Sequence, residues 1–270
     1  MNTSILITGS TDGIGKLAAL HFAKAGYTVY VHGRNDVKVA SVVSELKKAS
    51  ENQNINGLVA DFSDLEAVTK LAEQLKNELP RLDILINNAG ILKTNEVLTK
   101  KGLDFRIVVN YLAPFVLTNA LLPILKQSDS PRIINLSSAS QEAVSESVLT
   151  GEETQSERST YAQSKLALTM WSFYLAKQEP TITVIALNPG SLLNTKMVQE
   201  AYGEYWSPAE KGVAAIVDLA LSQAYNNDSG KYFDNDKGTD KGYFAPAHAD
   251  AYDTVKIAHL LAVTKDLIKG

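Results

Sequence analysis

Cysteine is absent from the 270 residues, which excludes disulfides, thiolate zinc sites and a cysteine nucleophile. An excess of one charge is missing too. The chain has 26 Lys and Arg against 30 Asp and Glu, a formal net charge of -4. A general nucleic-acid binder or a polybasic membrane-surface protein is therefore not expected. His21, His32, His248 and His259 lack metal-ligand spacing, and no acidic cluster marks an ion site. No metal is assigned, and the histidines read as structural or surface residues. Long apolar runs are lacking. The most apolar stretch, residues 107–125, is interrupted by Asn110, Pro114, Thr118, Asn119 and Pro123, which suits a buried helix better than a membrane span. Residues 1–3 lead into an apolar strand without a basic leader, so no targeting segment is read and the cytoplasm is the default expectation. What remains is 45% hydrophobic and 21% charged, ordinary for a soluble globular chain.

Short β-branched runs alternate with helical periodicity. Strands are predicted over residues 4–8, 28–31, 56–60, 82–87, 132–136 and 181–187. Helices are predicted over 14–25, 37–50, 65–79, 101–126, 160–177 and 208–223. This alternation means βαβ units, a parallel sheet and an α/β doubly wound Rossmann fold. No linker divides the chain, so residues 1–270 read as a single domain. Two polar segments, 141–159 and 226–241, read as surface excursions. The first carries five glutamates and few large apolar residues, a composition that favours mobility. The pattern Gly-x-Tyr-Phe at 230–233 is partly echoed at 242–244, which is too little for a repeat architecture.

The first strand ends in Thr8-Gly9-Ser10-Thr11-Asp12-Gly13-Ile14-Gly15 and a helix starts at once. Glycines there allow a tight turn and let backbone N–H groups approach a pyrophosphate. The second strand ends in His32-Gly33-Arg34. No carboxylate waits there for a ribose 2′-hydroxyl, and the Arg34 guanidinium suits a 2′-phosphate, so NADP(H) is the expected cofactor. A solvated loop arginine is the plainer reading. Asn35 or Asp36 reads as a helix cap. Asn87-Asn88-Ala89-Gly90 closes the fourth strand, where ligands of open α/β sheets bind. Ser137 and Ser138 close the fifth, and one of Tyr202, Tyr205 and Trp206 or all of them either line a lid or pack a loop. Tyr161 and Lys165 are four residues apart on a helix and share a face. A free tyrosine titrates near pH ~10, and a nearby ammonium lowers that value, so the pair makes a candidate proton donor.

In this order and combination the motifs resemble the short-chain dehydrogenase/reductase family over nearly the whole chain. The 141–159 length and Tyr161-Ala162-Gln163-Ser164-Lys165-Leu166-Ala167 resemble its retinol-dehydrogenase-like branch. The resemblance implies a seven-stranded parallel sheet, a nicotinamide cofactor and a catalytic set of Ser138, Tyr161, Lys165 and Asn110. Ser138 is favoured by that alignment, with Ser137 the alternative. It further implies Asp61 and Phe62 beside the adenine, Thr195 at the carboxamide, and Pro189 and Gly190 along the cofactor. Asn110 would hold a water that links Lys165 to solvent. The implied substrate is a small carbonyl or alcohol, often hydrophobic in that branch, and the implied assembly a homodimer or homotetramer. A non-catalytic NADP-binding sensor on the same fold is the rival reading, with no evident need for the Ser–Tyr–Lys set. A sugar-nucleotide epimerase shares Tyr-x-x-x-Lys but needs a larger C-terminal region.

Overall fold

Ile5, Leu6 and Ile7 are completely buried, which a strand achieves only when both faces of its sheet are covered. Successive side chains point to opposite faces, so Leu6 joins one apolar cluster and Ile5 and Ile7 the other. This strand, β1 (Ser4–Ile7), lies inside the sheet of a computed structural model that describes residues 3–238 and 241–269. Residues 1 and 2, read above as free of a leader, and 239 and 240 of the second polar excursion lie outside the described residues.

The other strands are β2 (Thr28–Gly33), β3 (Ile55–Val59), β4 (Ile84–Asn87), β5 (Arg132–Leu136), β6 (Thr183–Asn188), β7 (Lys231–Asp234) and β8 (Tyr243–Phe244). Their spatial order is β3-β2-β1-β4-β5-β6-β7-β8. The chain reverses direction across the sheet between β1 and β4, and a ligand crevice opens at the carboxyl ends of the strands there. The first seven strands pair in parallel. The expected seven-stranded parallel sheet is thus extended by an eighth strand, β8, antiparallel to β7. The echo of Gly-x-Tyr-Phe is what folds back. Gly242 donates its N–H to Asn235 Oδ1 at 3.1 Å, and a Cβ there would stand 2.4 Å from the Asp234 carbonyl oxygen. Phe244 then packs edge-on against Phe233 with centroids 5.3 Å apart.

Helices α1 (Gly13–Lys24), α2 (Asp36–Ser50) and α8 (Ala209–Leu221) cover one face. On the other lie α3 (Leu65–Glu78), α4 (Phe105–Leu125), α6 (Glu157–Gln178) and α9 (Thr254–Lys269). The short helices α5 (Glu146–Thr150) and α7 (Lys196–Tyr202) and the long α9 were not predicted, and the 226–241 segment is no mere surface excursion, because β7 lies within it with Tyr232 and Phe233 buried. Helix α4 begins later than expected, after Gly102 turns with φ +77° and Asp104 caps Arg106 N–H. It is long and apolar enough to cross a membrane, yet 72% of its most apolar window is buried in the fold. The 141–159 segment is also more integrated than its composition suggested. Val148 and Leu149 are buried, and Ser145 N–H donates to Gln163 Oε1 at 2.9 Å.

Candidate active site

The turn from β1 into α1 is held from three sides. Gly9 adopts φ +62°, and a Cβ on it would lie 2.7 Å from Ala89 Cα. Gly15 is closed the same way, with Asn88 Nδ2 2.4 Å from its would-be Cβ. These glycines make room for the chain after β4. Asn88 Nδ2 donates to the carbonyls of Thr8 and Gly9 at 2.8 and 3.0 Å, and Ala89 N–H to Thr8 Oγ1 at 3.0 Å. The Asn88 amide donors are thereby spent on the turn itself. Gly13 differs. It has φ +53° and open space where a Cβ would be, bounded only by Thr195 at 3.9 Å. With the N-terminus of α1 beside it, this is a cradle that fits a pyrophosphate. Asp12 caps α1 by accepting Gly13 N–H at 2.8 Å, and its hydrogen bond with Lys38 holds its carboxyl below the usual range. Ser10 is turned inward, donating to Ile7 O at 2.7 Å. Ile14 packs toward α8, within 3.5 Å of where a Gly212 Cβ would stand.

His32 ties the strand tips together. Its Nδ1 accepts Gly9 N–H at 3.1 Å, and its Nε2 meets the Ala60 carbonyl at 3.1 Å. A carbonyl only accepts, so Nε2 carries the proton and the ring is neutral. Burial pushes its pKa down to about 4, and the ring lies 4.2 Å from that of buried Phe62. Asp61 is exposed and receives the Ser63 N–H and hydroxyl. Arg34 is exposed, and no hydrogen bond or ion pair engages it among the described residues. Asn35 caps α2 through Lys38 N–H at 2.8 Å. A Cβ on Gly33 would stand 2.6 Å from Thr11 Cγ2, so the position is closed to a side chain.

At the β5 end, strand alternation separates the two serines. Ser137 is buried and bonds Lys165 O at 3.1 Å and Thr169 Oγ1 at 2.6 Å. Ser138 faces the cleft, where its hydroxyl is close enough to the Tyr161 phenol to oppose the upward push of burial, and it accepts Ser140 N–H at 3.1 Å. Helix α6 brings Tyr161 and Lys165 onto one face, the Lys165 Nζ 5.5 Å from the Tyr161 ring centroid. Burial pushes the Tyr161 phenol up to about 12 and the Lys165 ammonium down to about 8. The sequence led us to expect a tyrosine lowered by its lysine. Instead the ammonium donates to Leu136 O at 2.7 Å, beside the ring and not against its oxygen.

Asn110 sits in a π-helical turn of α4, Val108–Leu112. Pro114, which has no N–H to give the carbonyl four residues back, follows it. Its side chain accepts Ile91 N–H at 2.8 Å and donates to Ile91 O and Ser164 Oγ, each at 3.0 Å. A Cβ on Gly90 would lie 3.4 Å from both Asn110 Oδ1 and Lys165 Nζ. Gly90, Asn110, Tyr161 and Lys165 therefore converge, but the Asn110 amide is occupied by protein partners. Pro189 O accepts Asn235 Nδ2 at 2.9 Å, and Gly190 turns with φ +118°. Thr195 caps α7 by accepting Val198 N–H at 3.3 Å while facing Gly13. Tyr202, Tyr205 and Trp206 are 43%, 51% and 73% exposed. The Arg158 guanidinium lies 5.0 Å over the Tyr202 ring.

Three residues around the site carried no signal we used. His32 was read only as a structural or surface residue, with nothing to show that it ties the strand tips. Asp236 receives the Ser191 N–H at 2.8 Å and Asn188 Nδ2 at 2.8 Å, clamping the Pro-Gly loop. Tyr232 donates to the Ser138 carbonyl at 2.9 Å. The last two lie in or just after the Gly-x-Tyr-Phe pattern.

A family model described as short chain dehydrogenase matches residues 3–206. Human polyprenol dehydrogenase is 33% identical over 207 residues, which are 73% of this chain and 62% of that protein. Bovine retinol dehydrogenase 12 is 32% identical over 248 residues, 87% of this chain and 78% of that protein. Among solved structures, a putative short chain dehydrogenase from Escherichia coli CFT073 complexed with NADPH superposes with a TM-score of 0.71. It shares 28% identity and covers 86% of this chain and 95% of its own. Glycine-rich turn, strand order and family match agree, and the chain belongs to the short-chain dehydrogenase/reductase family, resembling its retinol-dehydrogenase-like branch.

Proposed function

We propose that the protein is an NADP(H)-dependent oxidoreductase that interconverts a carbonyl and an alcohol, with Tyr161 as general acid/base. The observation that carries this reading is the convergence of Ser138, Tyr161 and Lys165 on the cleft, with Lys165 Nζ 5.5 Å from the Tyr161 ring centroid and Ser137 turned away into the core. Family membership supports carbonyl/alcohol chemistry. The bound nicotinamide supplies the hydride. Residues Gly9 to Gly15, Arg34, Asp61, Phe62, Asn88 to Gly90, Pro189, Gly190 and Thr195 form or shape the cofactor's channel. Tyr161, kept protonated by burial, is a proton donor at neutral pH. Ser138 has one lone pair taken by Ser140 N–H, and its O–H is left to serve the Tyr161 phenol and, when substrate binds, the substrate oxygen. Lys165 holds the nicotinamide ribose and the site's positive charge. Asn110 fixes Ile91 and Ser164 around it.

NADP over NAD is supported by the unengaged Arg34 and by the NADPH complex of the Escherichia coli neighbour. A hydrophobic substrate is supported by the exposed lid aromatics and by relatives named for polyprenol and retinol. The family's dimers and tetramers are part of the same reading. The test is a panel of carbonyls and alcohols followed by NADPH absorbance, including nonanal, citral and all-trans-retinal, with NADH in parallel. The expected result is NADPH consumption with at least one bulky hydrophobic aldehyde and slower NADH consumption. Cofactor binding without turnover of any carbonyl or alcohol would overturn the reading.

A further inference from the structure

Ser138 lies two residues past the end of β5, and its carbonyl is held by two side chains, one of them distant in sequence. The Tyr232 hydroxyl, from β7, donates to it at 2.9 Å, and Gln141 Nε2 donates at 3.0 Å. Gln141 Oε1 in turn accepts His248 N–H at 3.1 Å. The segment after β8 is thereby tied to the tip of β5. Tyr232 is 3% exposed. Burial first, and the nearby Asp234 and Asp236 carboxylates next, raise its phenol far above the ordinary value. It stays a protonated donor across the working pH range. With its carbonyl fixed twice and its Oγ accepting Ser140 N–H, Ser138 has a set backbone and one donor left for the cleft. That donor is the hydroxyl hydrogen, and Tyr161 is beside it.

We propose that Tyr232 and Gln141 are positioning residues that hold the Ser138 carbonyl and thereby aim its hydroxyl at Tyr161 and the substrate oxygen. This rests on the reading of Ser138 and Tyr161 as the catalytic pair. Neither residue touches substrate or cofactor in this account, so their effects pass through Ser138 alone.

The experiment is a double-mutant cycle of Tyr232→Phe and Ser138→Ala, with NADPH and nonanal. In parallel, the Tyr161 phenol is titrated by NMR of ¹³Cζ-labelled tyrosine with NADP⁺ bound, which needs no turnover. Tyr232→Phe keeps the ring and removes only the hydroxyl, and Gln141→Leu serves as the second variant. On a wild-type background Tyr232→Phe should lower kcat about tenfold, the worth of one hydrogen bond. The KM for NADPH should not change. The Tyr161 pKa should rise as it does in Ser138→Ala. On the Ser138→Ala background Tyr232→Phe should change neither quantity, because the hydroxyl it aims is gone. An equal loss on both backgrounds, or wild-type kcat and phenol titration in both Tyr232→Phe and Gln141→Leu, overturns the positioning role. If Ser138→Ala itself leaves rate and phenol unchanged, the catalytic reading of Ser138 fails, and this proposal fails with it.

Discussion

At the β1–β2 end of the cleft, the turn and the helix caps are written in local sequence, although Asn88 and Ala89 close that turn from about 80 positions away. Gly9, Gly13 and Gly15 shape one turn, Asp12 caps the helix that follows, and Asn35 caps the next. At the β5–β7 end, the decisive contacts join residues far apart. Tyr232 reaches back 94 positions to Ser138, and His248 reaches 107 to Gln141. A turn that backbone dihedrals dictate leaves a local residue pattern, whereas a side chain held by a remote carbonyl leaves none. The first end gives a binding surface of N–H groups and one unengaged guanidinium. The second gives a half-buried phenol, a hydroxyl and an ammonium, with the phenol and ammonium shifted by desolvation.

The largest effect that would sharpen this contrast is stability against pH at the first end. Unfolded, His32 takes a proton below its ordinary 6.5, while in the fold it resists protonation down to about 4. Its contribution is therefore full above pH 6.5 and lost as pH falls toward 4, on the order of 3 kcal/mol in all. Denaturant unfolding at several pH values should show this slope in wild type and a shallower one in His32→Gln. Equal slopes would remove His32 as the tie between the strand tips. Next comes Arg34→Ala. A charged hydrogen bond is worth ~1.5–3 kcal/mol, so NADPH affinity should fall roughly tenfold to a hundredfold at fixed salt, with NADH affinity almost unchanged. Equal weakening of both would break the assignment of that end to a 2′-phosphate. The smallest effect belongs to the second end. Trp206→Ala should raise KM for a hydrophobic aldehyde about fivefold, leave NADPH affinity alone and change stability by under ~0.5 kcal/mol. An unchanged KM would put Trp206 outside the lid.

The same contrast explains what could be read in advance. Strands such as residues 132–136 were legible because both faces are buried and the run is apolar, and Tyr161 and Lys165 because helical spacing is local. The choice between Ser137 and Ser138 was not, since it depends on which one α6 covers; Thr169 Oγ1 takes Ser137. That Thr11, in the turn after β1, closes the space at Gly33 was not legible either, because the two meet only in the fold. An exchange of Gly33 for Asp to favour NADH would first have to displace that methyl group. The acidic 141–159 segment read as mobile because composition does not record that Gln163 accepts its Ser145 N–H. The eighth strand was missed because two aromatic residues after Gly242 make a strand only when Phe233 lies opposite.

Hydride delivery at the second end to a carbonyl held beside Tyr161 is tested most directly by isotope transfer. NADPH deuterated at C4 on one face or the other is incubated with an aldehyde from the panel, and the alcohol is analysed by mass spectrometry. The account predicts one deuterium on the former carbonyl carbon from one of the two labelled cofactors with the wild-type protein. It predicts a rate lower by about 10²–10⁴ in Tyr161→Phe, with NADPH still bound at wild-type affinity. An alcohol formed without label from either cofactor, or labelled at the wild-type rate in Tyr161→Phe, would contradict it.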